Sequence, residues 1–361
     1  MLSPRDGAGT RVRLLGILLA AALAFAACTV QRTPAEVGPP FLRVVRVARL
    51  YDVPAVSPPA WAPRADALAF GTDDGVWQVP LDGTGPRRLA SIGRVTSVAW
   101  GSARAALAAE AGGTLYIIDP TAAAAAQVAG SAGARLPEWV PRGGGLAYIE
   151  DGAGGDTLLL WTAGGRTRAP RRVALPAGFT ARTLRWLPDG RDLLVAGGPP
   201  GGAASTRVLR VATARSTPTV VSVGPAAVMT APTIDGAGTE VAYIGGTSDE
   251  LAAGHGVVTV SRLNGTGKRA LTSPGTYTGL AWAPSGGSLA FGDVLASDRV
   301  ALEIVNAATG ARLRVAEYRP ELPQTDTELA IRWAPDGLRL AFGTDTGDHA
   351  GPVWVATLAR E

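Results

Sequence analysis

The sequence predicts an all-β fold assembled from seven like units of four short strands. Three observations carry that expectation. One segment pattern recurs seven times along the 361 residues. Glycine (47) and proline (27) are abundant while only 18% of residues are charged, which suits short strands and tight turns better than long helices. The distance from one recurrence to the next is that of a small repeated sheet.

The recurring segments are PAWAPRADALAF (59–70), SVAWGSARAALAA (97–109), PEWVPRGGGLAY (137–148), LRWLPDGRDLLV (184–195), PTIDGAGTEVAY (232–243), LAWAPSGGSLAF (280–291) and IRWAPDGLRLAF (331–342). Their anchors are Trp61, Trp100, Trp139, Trp186, Ile234, Trp282 and Trp333, spaced by 39, 39, 47, 48, 48 and 51 residues. This is the repeat length of a propeller blade. Nine residues after each anchor stand Phe70, Ala109, Tyr148, Val195, Tyr243, Phe291 and Phe342. Regular spacing in every unit is what packing demands, so anchors and aromatics are expected to be core, each anchor wedged between neighbouring blades.

Each segment supplies two strands, a and b, with the anchor ending strand a. A third, strand c, follows in stretches such as GVWQVPLDG (75–83), GTLYIIDP (113–120), VVTVSRLNG (257–265) and VWVATLARE (353–361). A shorter strand d follows in most units, as in PRRLAS (86–91) and KRALTS (268–273). PDG and DGTG mark the a–b and c–d turns, where glycine supplies positive φ. The last unit stops after strand c, and FLRVVRVARL (41–50) is a strand-like stretch without a unit of its own. An open ring leaves exposed sheet edges, so 41–50 is expected to become strand d of the seventh unit. The expectation is a seven-bladed β-propeller of four-stranded blades, over residues 41–361, closed by its N-terminal strand.

The pattern W-x-P-D-G-x-x-L-A-F resembles the WD40-like repeat of TolB-type propellers and the propeller of LpqB-type actinobacterial lipoproteins. The resemblance covers about residues 41–361 and implies the fold. It implies less about function, because propellers host many roles. TolB-type proteins carry an α/β domain ahead of the propeller, and LpqB-type proteins place a further domain between lipid and propeller. Neither is expected here, so no partner is carried over from either family.

Ahead of the repeats, residues 14–27 read LLGILLAAALAFAA, preceded by Arg11 and Arg13 and followed by Cys28. A basic start, a short apolar run and small residues before the cut make a secretory signal, residues 1–27. Phe25-Ala26-Ala27-Cys28 resembles a bacterial lipobox, which implies cleavage before Cys28 and a diacylglycerol on its sulfur. Cys28 is the only cysteine, which excludes a disulfide within the chain. Residues 28–40, polar and Pro-rich, read as a tether. The expected location is the cell membrane, lipid-anchored, on the extracytoplasmic side.

The chain carries one lysine, Lys268, among 34 basic residues, and its formal net charge is +4. About half of that excess lies ahead of Cys28, and the remainder is scattered. Nucleic-acid binding needs a clustered basic face, and none is expected. Catalysis is equally unsupported. No G-x-S-x-G occurs; the nearest stretch, AGSAG (129–133), has Ala129 where glycine is required. GTGKRA (265–270) lacks P-loop spacing. The two histidines, His255 and His349, are too few for a histidine zinc site. Asp73, Asp74, Asp249, Glu250, Asp345 and Asp348 lie in loops but lack EF-hand spacing and read as turn residues.

Recognition is expected on the long, varied b–c loops: 150–156, 196–206, 244–256, 292–298 and 343–351. The stretch GGTSDELAAGHG (245–256) combines Asp249, Glu250, Leu251 and His255 and is the candidate contact site. The expected role is a monomeric, non-enzymatic, cofactor-free lipoprotein that binds an envelope protein or polymer. The alternative is a calcium-dependent, lactonase-like hydrolase with its metal in the central channel. The strand a segments VTSVAW, RTLRW, YTGLAW and LAIRW disfavour it, being apolar or basic.

Overall fold

Turn chemistry sets where the strands stop. In the fourth repeat Asp189 Oδ1 accepts from Arg191 N–H at 2.9 Å, and Gly190 takes φ 66°. In the seventh repeat Asp336 Oδ1 accepts from Leu338 N–H at 2.8 Å beside Gly337 at φ 68°. These are the positive-φ glycine and side-chain-capped turn that PDG announces. The c–d turns use the same device: Asp82 and Asn264 each accept from the backbone N–H two residues on, both at 3.0 Å.

A computed structural model of the chain describes residues 42–101, 106–162, 169–201, 205–213, 219–223, 228–319, 328–345 and 351–360. They belong to one compact unit, Val37–Glu361. Cys28 and the signal and tether segments lie outside the described residues. No described helix is long and apolar enough to cross a membrane.

The fold is nearly all β, built of antiparallel four-stranded sheets. The first repeat supplies Ala60–Trp61, Ala67–Gly71, Val76–Pro80 and Arg87–Ala90, paired in chain order. The second, third and fourth repeats do the same. The fifth and sixth join edge to edge through a two-residue ladder, His255 opposite Thr276 and Gly256 opposite Gly275, and so count as one eight-stranded sheet. The seventh repeat contributes Glu328–Trp333, Arg339–Asp345 and Gly351–Ala359, and its fourth strand is Arg43–Ala55. This strand runs past residue 50, with Tyr51 opposite Val353 and Ala55 opposite Gly351. Pro54 is tolerated there because the strand lies at the sheet's edge. The 292–298 stretch also differs from expectation. It is mostly strand, because Ser288–Ala296 and Arg299–Asn306 form one long hairpin.

The core lies between sheets. Most hydrophobic clusters draw on two consecutive repeats, as where Phe179 and Trp186 of the fourth repeat meet Ile149 and Val173 of the third. One cluster joins the first repeat to the last: Trp61, Leu68 and Phe70 pack with Ala341, Val353 and Val355. Strand b is among the most buried elements, with all five residues of Ala67–Gly71 and of Leu107–Ala111 buried. A Cβ on Gly71 would stand 2.2 Å from the carbonyl oxygen of Val95 in the next repeat, so only glycine permits that approach.

The anchors hold the seams. Trp139 Nε1 donates to the Ala99 carbonyl at 3.1 Å, Trp186 Nε1 to Glu138 at 3.2 Å, and Trp333 Nε1 to Ala281 at 3.0 Å. In each case the acceptor is the residue before the preceding repeat's anchor. Trp61 Nε1 makes the same bond to Arg332 at 2.9 Å, from the first repeat to the seventh. The Arg339 guanidinium also lies over the Trp61 ring, 5.6 Å from its centroid. Trp100 and Trp282 are the exceptions: their indole nitrogens are buried without a partner among the described residues.

This contrast is testable. Trp333→Phe and Trp282→Phe remove the same atoms from equally buried rings, but only the first breaks a hydrogen bond. Denaturant unfolding is expected to show Trp333→Phe costlier by about 1–2 kcal/mol. Equal losses would contradict the assigned seam bonds.

Candidate functional site

Strand a of every repeat borders one cavity of about 710 Å³. Most of its lining is small or uncharged, including Ser97, Thr183 and Gly279. Its described charged residues are Arg182, Arg185, Arg332 and Glu138. Arg185 and Glu138 form an ion pair at 3.0 Å. Arg182 sits at the b–c end, where it donates to the Pro199 carbonyl at 2.8 Å. Burial, reinforced by the nearby Arg135, holds its guanidinium below the usual value. The lining therefore carries three cationic groups against one carboxylate. The RTLRW and LAIRW segments, which argue against a channel metal, supply the arginines that make this cavity cationic.

The b–c acids have local duties. Asp156 is buried, pairs with Arg135 and accepts from Ala181 N–H at 2.6 Å, which ties the third repeat to the fourth. Asp73 pairs with Arg94. Asp74 accepts from Thr72 Oγ1 at 2.6 Å, from Trp77 Nε1 at 3.0 Å and from Arg88 Nη1 at 2.9 Å. Those bonds, Thr72's first, lower its pKa to about 2.

The 245–256 stretch folds as a short helix, Ser248–Ala252, closed by a capping box. Thr247 Oγ1 accepts from Glu250 N–H at 3.2 Å, and the Glu250 carboxylate accepts from Thr247 N–H at 2.7 Å. That bond holds the Glu250 carboxyl below its usual range. Leu251 packs, half-buried, on the core shared by the fifth and sixth repeats. Asp249 is exposed in the first helical turn. His255 begins the next strand, its Nδ1 3.3 Å from Thr276 Oγ1. Glu250 closes the capping box and Leu251 packs on the core, so both serve the fold. No three His, Cys, Asp or Glu side chains gather as a metal-binding group among the described residues. Asp348 and His349 lie outside them.

No protein-family profile matches the sequence, and no curated protein does. Solved structures match in shape. A chain of the mitotic checkpoint complex superposes with a TM-score of 0.58 at 16% identity, covering 88% of this chain and 94% of that one. Oligogalacturonate lyase in complex with manganese gives 0.62 at 14% identity, covering 88% and 96%. Both are propeller-like, and at such identities the likeness defines the fold alone: the chain carries a β-propeller module.

Asp74 offers a check on the loop assignments. Its carboxyl is lowered on folding, so it contributes stability above the ordinary value of 3.8 that is lost as pH falls towards about 2. Carboxyl NMR titration is expected to place its midpoint near 2. An ordinary midpoint would show that the loop carboxylate is not engaged by Thr72, Trp77 and Arg88.

Proposed function

We propose that the chain is a lipid-tethered envelope protein whose propeller binds an envelope protein or polymer through its central cavity. In this reading the seven repeats are seven blades, and Arg43–Ala55 closes the ring. Cys28 carries the lipid on the extracytoplasmic side, and the module is TolB- or LpqB-like. The observation that carries the reading is the cavity of about 710 Å³, bordered by strand a of all seven repeats and bearing three arginines against one glutamate. A large concave site with a few polar groups among small neutral residues is the default place for recognition.

The second reading is a calcium-dependent, lactonase-like hydrolase; a manganese-bound lyase is among the structures of similar fold. That reading asks for clustered oxygen ligands. The described cavity lining offers one carboxylate, Glu138, already paired with Arg185.

Four variants test these readings in the full-length protein. Cys28→Ser is expected to lose lipid labelling and leave the membrane fraction; retention and unchanged processing would contradict the tether. Ser97→Trp and Thr183→Trp narrow the cavity, and each is expected to reduce crosslinked partner recovery severalfold without lowering the melting temperature. Full recovery with both, but loss when 247–255 is replaced by a Gly-Ser linker, would move the site to the b–c loops. Hydrolysis abolished by EDTA would favour the enzyme reading.

A further inference from the structure

The fifth repeat breaks the anchor rule. It has Ile234 where the other six have tryptophan. Isoleucine has no side-chain N–H to give to the fourth repeat. On the other flank, Trp282 Nε1 is buried without a partner among the described residues. Both seams of the fifth repeat therefore lack the indole-to-carbonyl bond found at Trp61, Trp139, Trp186 and Trp333.

A cleft of about 280 Å³ opens at these two seams, on the a–b turn side. Its apolar wall includes Ile234, Trp186, Trp282 and Trp333, and its charged lining is Arg185, Arg332 and Asp235. Asp235 is committed to its own turn: Oδ1 accepts from Thr239 N–H at 2.7 Å and Glu240 N–H at 2.8 Å, and Oδ2 from Thr239 Oγ1 at 3.0 Å. Arg185 meets Glu138 through Nη1. A guanidinium carries five N–H donors, so that pair leaves most of its donor capacity for other acceptors. Arg185 and Arg332 also line the central cavity, so the cleft opens off it. The backbone bounds it tightly: a Cβ on Gly236 would stand 2.3 Å from the Pro284 carbonyl oxygen.

We propose that this cleft binds a small flat organic acid, its ring against the indole and Ile234 wall and its carboxylate towards Arg185 and Arg332. The indoles favour a stacked or edge-on ring. Planar guanidinium forks match a carboxylate and discriminate against its neutral counterpart. The volume limits the ligand to one or two rings, below the usual drug-sized pocket. The inference goes beyond the binding-module reading, because it assigns a small-molecule pocket at the turn face.

The test uses the full-length protein in detergent, with 1-naphthoate as probe and 1-naphthamide as its neutral counterpart, read by calorimetry and tryptophan fluorescence. Naphthoate is expected to bind at least about tenfold more tightly than the amide. Ile234→Trp fills the cleft and restores the missing donor, so it is expected to abolish binding without lowering the melting temperature. Should Ile234→Trp fold poorly, Arg185→Gln and Arg332→Gln decide, each expected to weaken naphthoate by about tenfold. No binding to the parent protein, equal affinity for the amide, or unchanged binding by a well-folded Ile234→Trp protein would overturn the assignment. Ser97→Trp is expected to retain naphthoate binding. Naphthoate binding alongside undiminished partner recovery by the narrowed variants would leave the cleft standing and remove the cavity-binding reading.

Discussion

The interaction on which the architecture depends is the indole N–H of one repeat donating to the strand a carbonyl of the repeat before it. An indole is large enough to close the gap between two twisted sheets, but burying its N–H without an acceptor is costly. The carbonyl before the preceding anchor solves that cost, and the same bond recurs at Trp61, Trp139, Trp186 and Trp333. The hydrophobic clusters follow the same logic. No sheet buries its faces alone; each core is shared by neighbours, so a repeat is stable only in company. Trp61 reaching Arg332 and the pairing of Arg43–Ala55 with the last strand apply the rule between the two ends of the chain.

Much of this fold was legible in the sequence because it is periodic. The anchors, the aromatics nine residues later, the PDG turn and the GTG of the c–d turns recur, and repetition separates packing from chance. Trp61, Trp139, Trp186, Trp282 and Trp333 are buried, as are Phe70, Tyr148, Tyr243, Phe291 and Phe342. The departures arise where tertiary pairing overrides local signals. Pro54 looks like a strand breaker, yet an edge position accommodates it. Residues 292–296 have the glycine and aspartate of a loop, yet lie on an extended hairpin.

The site was less legible. In the sequence Asp74 and Glu250 read as turn residues, Glu250 also as a candidate contact, and Asp156 only closes the 150–156 loop. In three dimensions each is spent on its own surroundings: a hydroxyl and an indole, a neighbouring arginine, a helix N-terminus. The informative charges lie instead on strand a, where a guanidinium on an innermost strand faces a space that exists only once all the repeats assemble. No linear spacing records that Arg182 and Arg332, in the fourth and seventh repeats, border one cavity. The Ile234 substitution was visible in the alignment of repeats. The cleft beside it was not, because its lining comes from four different repeats.

The seam account is tested most directly by indole hydrogen exchange, since the nine tryptophans give resolvable side-chain N–H signals by ¹⁵N NMR. The account expects the Trp61, Trp139, Trp186 and Trp333 indole protons to exchange slowly and together, near the rate of global unfolding, with Trp100 and Trp282 faster. A Trp61 indole that exchanges freely while the other three stay protected would mean that the first repeat does not dock on the last, and would contradict the account.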